Sequence, residues 1–175
     1  DSALDREGGA PADLEPVALV VLAEELRSDA ADTMRYFAEQ GVTVKIISGD
    51  NPATVSAVAR QLGIDGADDL LDLRDVDLAG DAASVEEQVN ATTVFGRVQP
   101  QQKRQLVEIL QRQGHTVAMT GDGVNDIPAL KQADVAIAQN TATAATKGVS
   151  QLVLLAGRFD STPGVVAEGR RVITN

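Results

Sequence analysis

Thr120-Gly121-Asp122-Gly123-Val124-Asn125-Asp126 gathers two carboxylates, an amide and a hydroxyl around two glycines in one tight turn. Asp122 and Asp126 bracket that turn, and oxygen donors so arranged suit a hard cation such as magnesium. Ser48-Gly49-Asp50-Asn51 is a second turn of the same character. Glycine lets the backbone approach a ligand closely, and the helix start that follows each turn favours an anion. A third segment, Arg97-Val98-Gln99-Pro100, leads to Lys103. An ammonium group there can neutralise phosphate charge. Asp, Asn and Gly are also turn formers and helix caps. Ser48–Asn51 alone therefore fits either reading, and Lys103 alone reads as a solvated lysine. Thr120–Asp126 is more polar than capping requires.

Each turn needs an element to hold it. The branched run Val42–Ile47 reads as a strand before the first turn, and Thr116–Met119 as a strand before the second. Thr92–Phe95, Val135–Ala138 and Leu152–Leu155 read as further strands. Helical stripes lie between them: Ala30, Met34 and Phe37; Val55, Val58, Ala59 and Leu62; Leu106, Val107 and Leu110 within Pro100–Arg112. Shorter helices are expected near 127–132 and 143–149, and a last one from about Thr162. Pro52, Pro100, Pro128 and Pro163 stand where helices begin, a position proline tolerates. Val17 to Leu22 is an apolar run, read as the first strand. Residues 65–90 carry nine acids against one Arg and read as a surface insertion with one short helix. Short apolar strands joined by amphipathic helices imply βαβ units. The expected fold is Rossmann-like: a three-layer α/β/α arrangement with a mainly parallel sheet, in whose topology ligands sit beyond the carboxyl ends of the strands.

Composition narrows the function. With 15 Lys and Arg against 26 Asp and Glu, the net charge is −11. Such a chain repels phosphate backbones and anionic lipid, so no nucleic-acid partner is expected. Aromatic residues are only 2%, too few for base-stacking platforms. Cysteine is absent, which excludes disulfides, thiolate nucleophiles and Cys-ligated zinc. No apolar run approaches the roughly 20 residues of a membrane-spanning helix. The chain opens at Asp1 without a signal peptide, and reads as an excerpt of a longer polypeptide. His115, the single histidine, has no nucleophile beside it in sequence and is expected at the surface.

Thr120–Asp126, continued by Pro128-Ala129-Leu130-Lys131 and Ala133-Asp134-Val135-Ala136-Ile137-Ala138, closely resembles the hinge segment of P-type cation-transporting ATPases, members of the haloacid dehalogenase-like superfamily. Ser48–Asn51 resembles their TGDN motif, with Ser in place of Thr. Gly96–Pro100 with Lys103 resembles their (Ala/Gly)-Arg-Val-x-Pro-x-x-Lys segment, and Glu24-Glu25-Leu26-Arg27 a variant of their DPxR motif. The tail, Gln151–Leu155 and Val166–Ile173, resembles the stretch leading into the next membrane helix. The resemblance runs from about Val17 to the C-terminus.

The resemblance implies residues 1–16 as a linker or the end of a nucleotide-binding domain. It implies residues 17–175 as the distal part of a phosphorylation domain. In that family an aspartate attacks the γ-phosphate of ATP. By the same resemblance Asp122 and Asp126 form the magnesium site, and Asn125 and Asp126, the latter also catalytic, organise the phosphate and the groups behind it. Lys103 binds phosphoryl oxygens and Ser48 donates its hydroxyl to them. Gly49 and Asp50 line the nucleotide site, and Arg27 contacts the nucleotide. ATP and magnesium are the implied cofactors. The implied partners are the nucleotide-binding, actuator and transmembrane domains of the same polypeptide. The cation is bound elsewhere, and the domain faces the cytoplasm. The tail and the Ser48–Asn51 motif suggest a calcium-pump-like parent.

The family's nucleophile motif, DKTGT, is absent from these residues, so the chain by itself is expected to be inactive. Asp75-Val76-Asp77 has the DxD pattern of soluble superfamily phosphatases but follows no apolar strand. Glu24 and Glu25 replace Asp and Pro ahead of Arg27. Asn140–Ala144 lacks the family's Gly-x-Gly-Thr-Asp pattern, and Gln151 stands where many members have Asp. A stand-alone phosphatase and a degenerate phosphate-binding module stay open as alternatives. A dinucleotide-binding domain fits poorly, since Asp126 occupies the place of its third glycine.

Overall fold

The computed structural model describes residues 17–18, 26–155 and 162–174. Its elements are α1 (Ala30–Glu39), β1 (Ile46–Ile47), α2 (Pro52–Gln61), β2 (Leu70–Asp72), α3 (Ala82–Ala91), β3 (Val94–Gly96), α4 (Pro100–Arg112), β4 (Ala118–Gly121), a single 3₁₀ turn (Val124–Asp126), α5 (Ile127–Gln132), β5 (Val135–Gln139), α6 (Ala144–Val149), β6 (Leu152–Leu154) and α7 (Thr162–Thr174). The strands fall into two three-stranded sheets, ordered β1-β3-β2 and β4-β5-β6, and every pairing is parallel. Strands connected through helices and paired in parallel are the α/β architecture expected from the alternation. The apolar run from Val17 to Leu22, Glu24 and Glu25 lie largely outside the described residues, as do residues 1–16.

The acidic stretch differs from expectation. Leu70–Asp72 is a strand, registered on β3 with Asp72 opposite Gly96. Leu73, Leu78, Val85 and Val89 join Phe95, Val98, Leu106 and Ile109 in the largest core cluster. The nine acids lie between apolar positions that face inward, so the segment is half of a βαβ unit with a charged outer surface. Its helix α3 is capped by Asp81, whose Oδ2 accepts from Ser84 N at 3.0 Å. At the other end the Lys45 ammonium donates to the carbonyls of Val89, Asn90 and Thr92 at 2.9, 3.1 and 2.6 Å. Those are carbonyls that a helix end leaves without intrahelical donors. Burial pulls the Lys45 pKa below the ordinary lysine range.

Strand limits move for local reasons. Val42 is half exposed and follows Gly41 in the left-handed region (φ 72°), so β1 shrinks to Ile46–Ile47. The strand expected at Thr116–Met119 runs instead over Ala118–Gly121, carrying it to the edge of the polar turn. The helix stripe on α4 is buried as Leu106, Val107 and Ile109, with Leu110 half-buried. His115 is exposed.

Asp134 ties the second sheet to α4. Its Oδ2 accepts from Val117 N at 2.8 Å and from Gln111 Nε2 at 3.1 Å. These bonds hold its pKa below the usual carboxylate range, the Val117 bond most of all. A carboxylate with a lowered folded pKa stabilises fully above its ordinary pKa, and that contribution fades as pH falls through the lowered value. Urea midpoints measured from neutral pH down to about pH 3 should therefore fall less steeply for Asp134→Asn than for the wild type. Parallel curves would remove this role.

Candidate functional site

The first polar turn is stitched to the loop after β3. Ser48 N donates to Phe95 O at 2.9 Å, Val98 N to Ser48 O at 2.9 Å, and Arg97 N to Asp50 O at 2.8 Å. The last bond needs Arg97 in the left-handed region, at φ 53°, the only non-glycine residue there among those described. A side-chain-bearing residue held in that region marks a loop over-determined by its surroundings. Within the turn, Ser48 Oγ donates to Asp50 Oδ2 at 3.2 Å and accepts from Asp50 N at 3.1 Å. Asn51 Oδ1 caps α2 by accepting from Ala53 N at 2.9 Å, and Pro52 takes the first helical position. Gly49 is exposed, with open space where a Cβ would lie.

Gly96 is what lets these loops meet. A Cβ there would lie 2.4–2.5 Å from the ring and nitrogen of Pro52. Gly96→Ala is expected to destabilise the chain by about 2–3 kcal/mol, since a buried methyl without space forces backbone shifts. A urea midpoint unchanged within error would contradict this packing.

The second turn is built around Asp126. Its Oδ1 accepts from Lys103 Nζ at 2.7 Å, and its Oδ2 accepts from Asp122 N and Gly123 N, both at 3.3 Å. The side chains of Lys103 and Asp126 are only 14% and 11% exposed. Gly121 makes room for this carboxylate, because a Cβ would lie 2.6–2.9 Å from its Cβ, Cγ and Oδ2. Lys103 rides on α4, which follows β3, whereas Asp126 follows β4. Their ion pair thus links the carboxyl ends of the two sheets. Asp122 and Asn125 are exposed.

The Asp122 side chain has no hydrogen-bond partner among the described residues, unlike that of Asp126. No group of three or more His, Cys, Asp or Glu that could hold a metal occurs among the described residues. This donor set fits magnesium in the way that ion is commonly held: by one or two carboxylates, with phosphate oxygens and water completing the shell. Asp122 offers the open carboxylate, and Asp126 stands behind it fixing the loop. Arg27 is paired with Asp29, Nε to Oδ1 at 3.2 Å, just ahead of α1.

Two sets of residues at these strand ends were given no role from the sequence. Asp72, at the end of β2, pairs with Arg74 at 2.8 Å and lies 3.5 Å from Arg97 Nε. The Arg74 bonds hold its pKa below the usual range. Thr143 and Thr146, at the start of α6, contact the Asp122 loop directly: Thr143 N donates to Asp122 O at 3.2 Å and Thr146 Oγ1 to Gly123 O at 3.1 Å. The threonines recurring through 141–146 were the available signal.

Among the described residues no helix is long and apolar enough to cross a membrane. The sequence matches the haloacid dehalogenase-like hydrolase family over residues 1–134. It is 50% identical over 166 residues to the calcium-transporting ATPase CtpE of Mycobacterium bovis, covering 95% of this chain and 20% of that protein. It is 38% identical over 165 residues to the endoplasmic reticulum calcium ATPase srcA of Aspergillus fumigatus, covering 91% of this chain and 17% of that one. The fold superposes on a zinc-transporting PIB-type ATPase in its E2.Pi state with a TM-score of 0.64, at 25% identity, over 86% of this chain and 20% of that chain. The chain spans about a fifth of the length of the curated relatives it matches. With Asp122, Asp126 and Lys103 gathered at parallel strand ends and these matches along its length, the chain belongs to the haloacid dehalogenase-like hydrolases, homologous there to the phosphorylation domain of P-type cation-transporting ATPases.

Proposed function

We propose that this chain is the distal part of the phosphorylation domain of an ATP-driven cation transporter. Residues 17–175 would form that part, and residues 1–16 its link to a nucleotide-binding domain. The Lys103–Asp126 pair beneath an open Asp122 carboxylate carries this reading. Phosphoryl transfer asks a protein for positioning and charge neutralisation, and this constellation supplies both. Asp122 would hold magnesium with Asp126 fixing its loop, and the ion when bound would neutralise charge on the phosphoryl oxygens. Lys103 would present its ammonium to the same oxygens, Ser48 its hydroxyl, and Asn125 its amide. Gly49 and Asp50 would border the nucleotide, and Arg27 would contact it.

The order of the strands supports the reading further. Among the described residues β1 ends one sheet and β4 the other. A strand carrying the nucleophilic aspartate, from elsewhere in the polypeptide, would pair at these edges and present its carboxylate to the two polar turns. The similarity to calcium-transporting ATPases supports calcium or another divalent cation as the cargo. It likewise supports membrane, actuator and nucleotide-binding domains as partners in the same polypeptide, with this part on the cytoplasmic face.

The test is a full-length protein carrying this chain, reconstituted in vesicles. Divalent-cation uptake driven by ATP and magnesium, with an acid-stable, hydroxylamine-labile phosphoenzyme, is the expected result. The 175-residue chain alone should form none. Hydrolysis of p-nitrophenyl phosphate by the chain alone, lost in Asp122→Ala, would overturn the transporter reading in favour of a self-contained phosphatase.

A further inference from the structure

Thr146 is fully buried, with 0% exposure, on a six-residue helix beside the acidic turn. Its hydroxyl lies 3.1 Å from Gly123 O and 2.8 Å from the Thr143 hydroxyl. A carbonyl oxygen can only accept, so the single hydroxyl hydrogen of Thr146 goes to Gly123. The Thr143 hydroxyl must then donate to Thr146, while it accepts from Thr146 N at 3.2 Å. The direction of the chain of bonds is thereby fixed: Thr143 to Thr146 to the Gly123 carbonyl.

That carbonyl also accepts from Asp126 N at 3.1 Å, the bond that closes the 3₁₀ turn. The preceding peptide unit is held from both sides as well. Its oxygen, Asp122 O, accepts from Thr143 N, and its N–H, on Gly123, donates to Asp126 Oδ2. Both peptide planes that follow the Asp122 Cα are therefore anchored to the start of α6. With those planes anchored, the backbone from which the Asp122 side chain projects is tied to the start of α6 and to Asp126.

We propose that Thr146, backed by Thr143, is the positioning residue for Asp122, a buried hydroxyl relay that aims its carboxylate at the magnesium ion. This rests on the reading of Asp122 as the magnesium ligand. Polar groups one shell behind a ligand commonly change metal affinity by about 10- to 100-fold when removed. A helix beyond the acidic turn thus acquires a part in the reaction without touching the phosphate.

The experiment follows phosphoenzyme formation from ATP against magnesium concentration, in the full-length protein. Thr146→Val keeps the shape and removes the hydroxyl. It should raise the half-saturating magnesium concentration about tenfold, with the level at saturating magnesium kept within about twofold. Thr146→Ser restores the hydroxyl and should return the magnesium dependence to that of the wild type. A purely structural role would lower the amount of active protein and leave the magnesium dependence alone. If Thr146→Val does not fold, Thr143→Ala decides: Thr143 is exposed, and losing its hydroxyl should shift the curve in the same direction by a smaller factor. A magnesium curve superposed on the wild type in the folded variant overturns the relay. A wild type that makes no magnesium-dependent phosphoenzyme overturns the reading of Asp122 itself, and the relay with it.

Discussion

Asp122→Asn in the full-length protein is expected to lower the rate of phosphoenzyme formation from ATP by about a thousandfold, equivalent to roughly 4 kcal/mol of barrier. The substitution keeps the size of the side chain and its place on the loop. It removes the negative charge that would hold a divalent cation in a shell otherwise completed by phosphate and water. Asp122 is exposed and its carboxylate has no hydrogen-bond partner among the described residues. The stability of the variant should therefore stay within about 0.5 kcal/mol of the wild type, as for other surface changes. That contrast makes the experiment decisive. Single-turnover phosphorylation with a thermal melt on the same preparation separates lost chemistry from lost fold. Phosphorylation near the wild-type rate, with unchanged magnesium dependence, would sink the metal role.

Lys103→Met should fail on both counts. Its ammonium lies 2.7 Å from Asp126 Oδ1, with both side chains mostly removed from solvent. Removing one partner leaves a carboxylate supported only by two amides at 3.3 Å. Breaking such a buried pair costs about 3–5 kcal/mol, because the remaining charge is desolvated and unmatched. Adding Asp126→Asn removes that charge while leaving an amide oxygen for the two N–H donors. The double variant should therefore regain about 2 kcal/mol of stability over Lys103→Met alone, a positive coupling for residues in contact. Phosphoryl transfer should not recover with it, since the ammonium proposed to meet the phosphate is still missing. Urea unfolding of the two singles and the double closes the cycle. Additive stabilities would show that the pair does not couple. Recovery of phosphorylation in the double variant would move the catalytic role away from Lys103.

How far this was legible in the sequence depended on whether the cause was local. Prolines 52, 100 and 128 mark helix starts because the requirement for a first-turn residue without an N–H is met within the residue itself. The Thr120–Asp126 turn was legible because its polar atoms lie within seven consecutive residues. The strand Leu70–Asp72 was not. Three residues among many acids give no periodicity, and the strand exists because Val94–Gly96, more than twenty residues on, provides its ladder. The Ser48 loop offered a plain turn signal, while the left-handed Arg97 that completes it follows from a bond to Asp50 O that no spacing rule shows. Thr146 was only faintly legible: threonines recur through 141–146, but which of them matters depends on Gly123 O, more than twenty residues earlier in the chain. The split of the strands into two sheets was also unforeseen. Both halves satisfy the same βαβ pattern, and nothing local distinguishes a shared ladder from two.

Gly96 packed against Pro52, together with the paired bonds Arg97 N to Asp50 O and Val98 N to Ser48 O, has a mechanical consequence. These contacts leave no compliant joint between the start of α2 and the end of β3. Close-packed interiors transmit displacement with little compression. A push delivered at the α2 end is therefore passed to the start of α4, whose first turn carries Lys103. Ser48 and Lys103 then behave as two points on one stiff crank: whatever tilts the first by a given angle swings the second. The elastic part of the machine has to lie outside this crank.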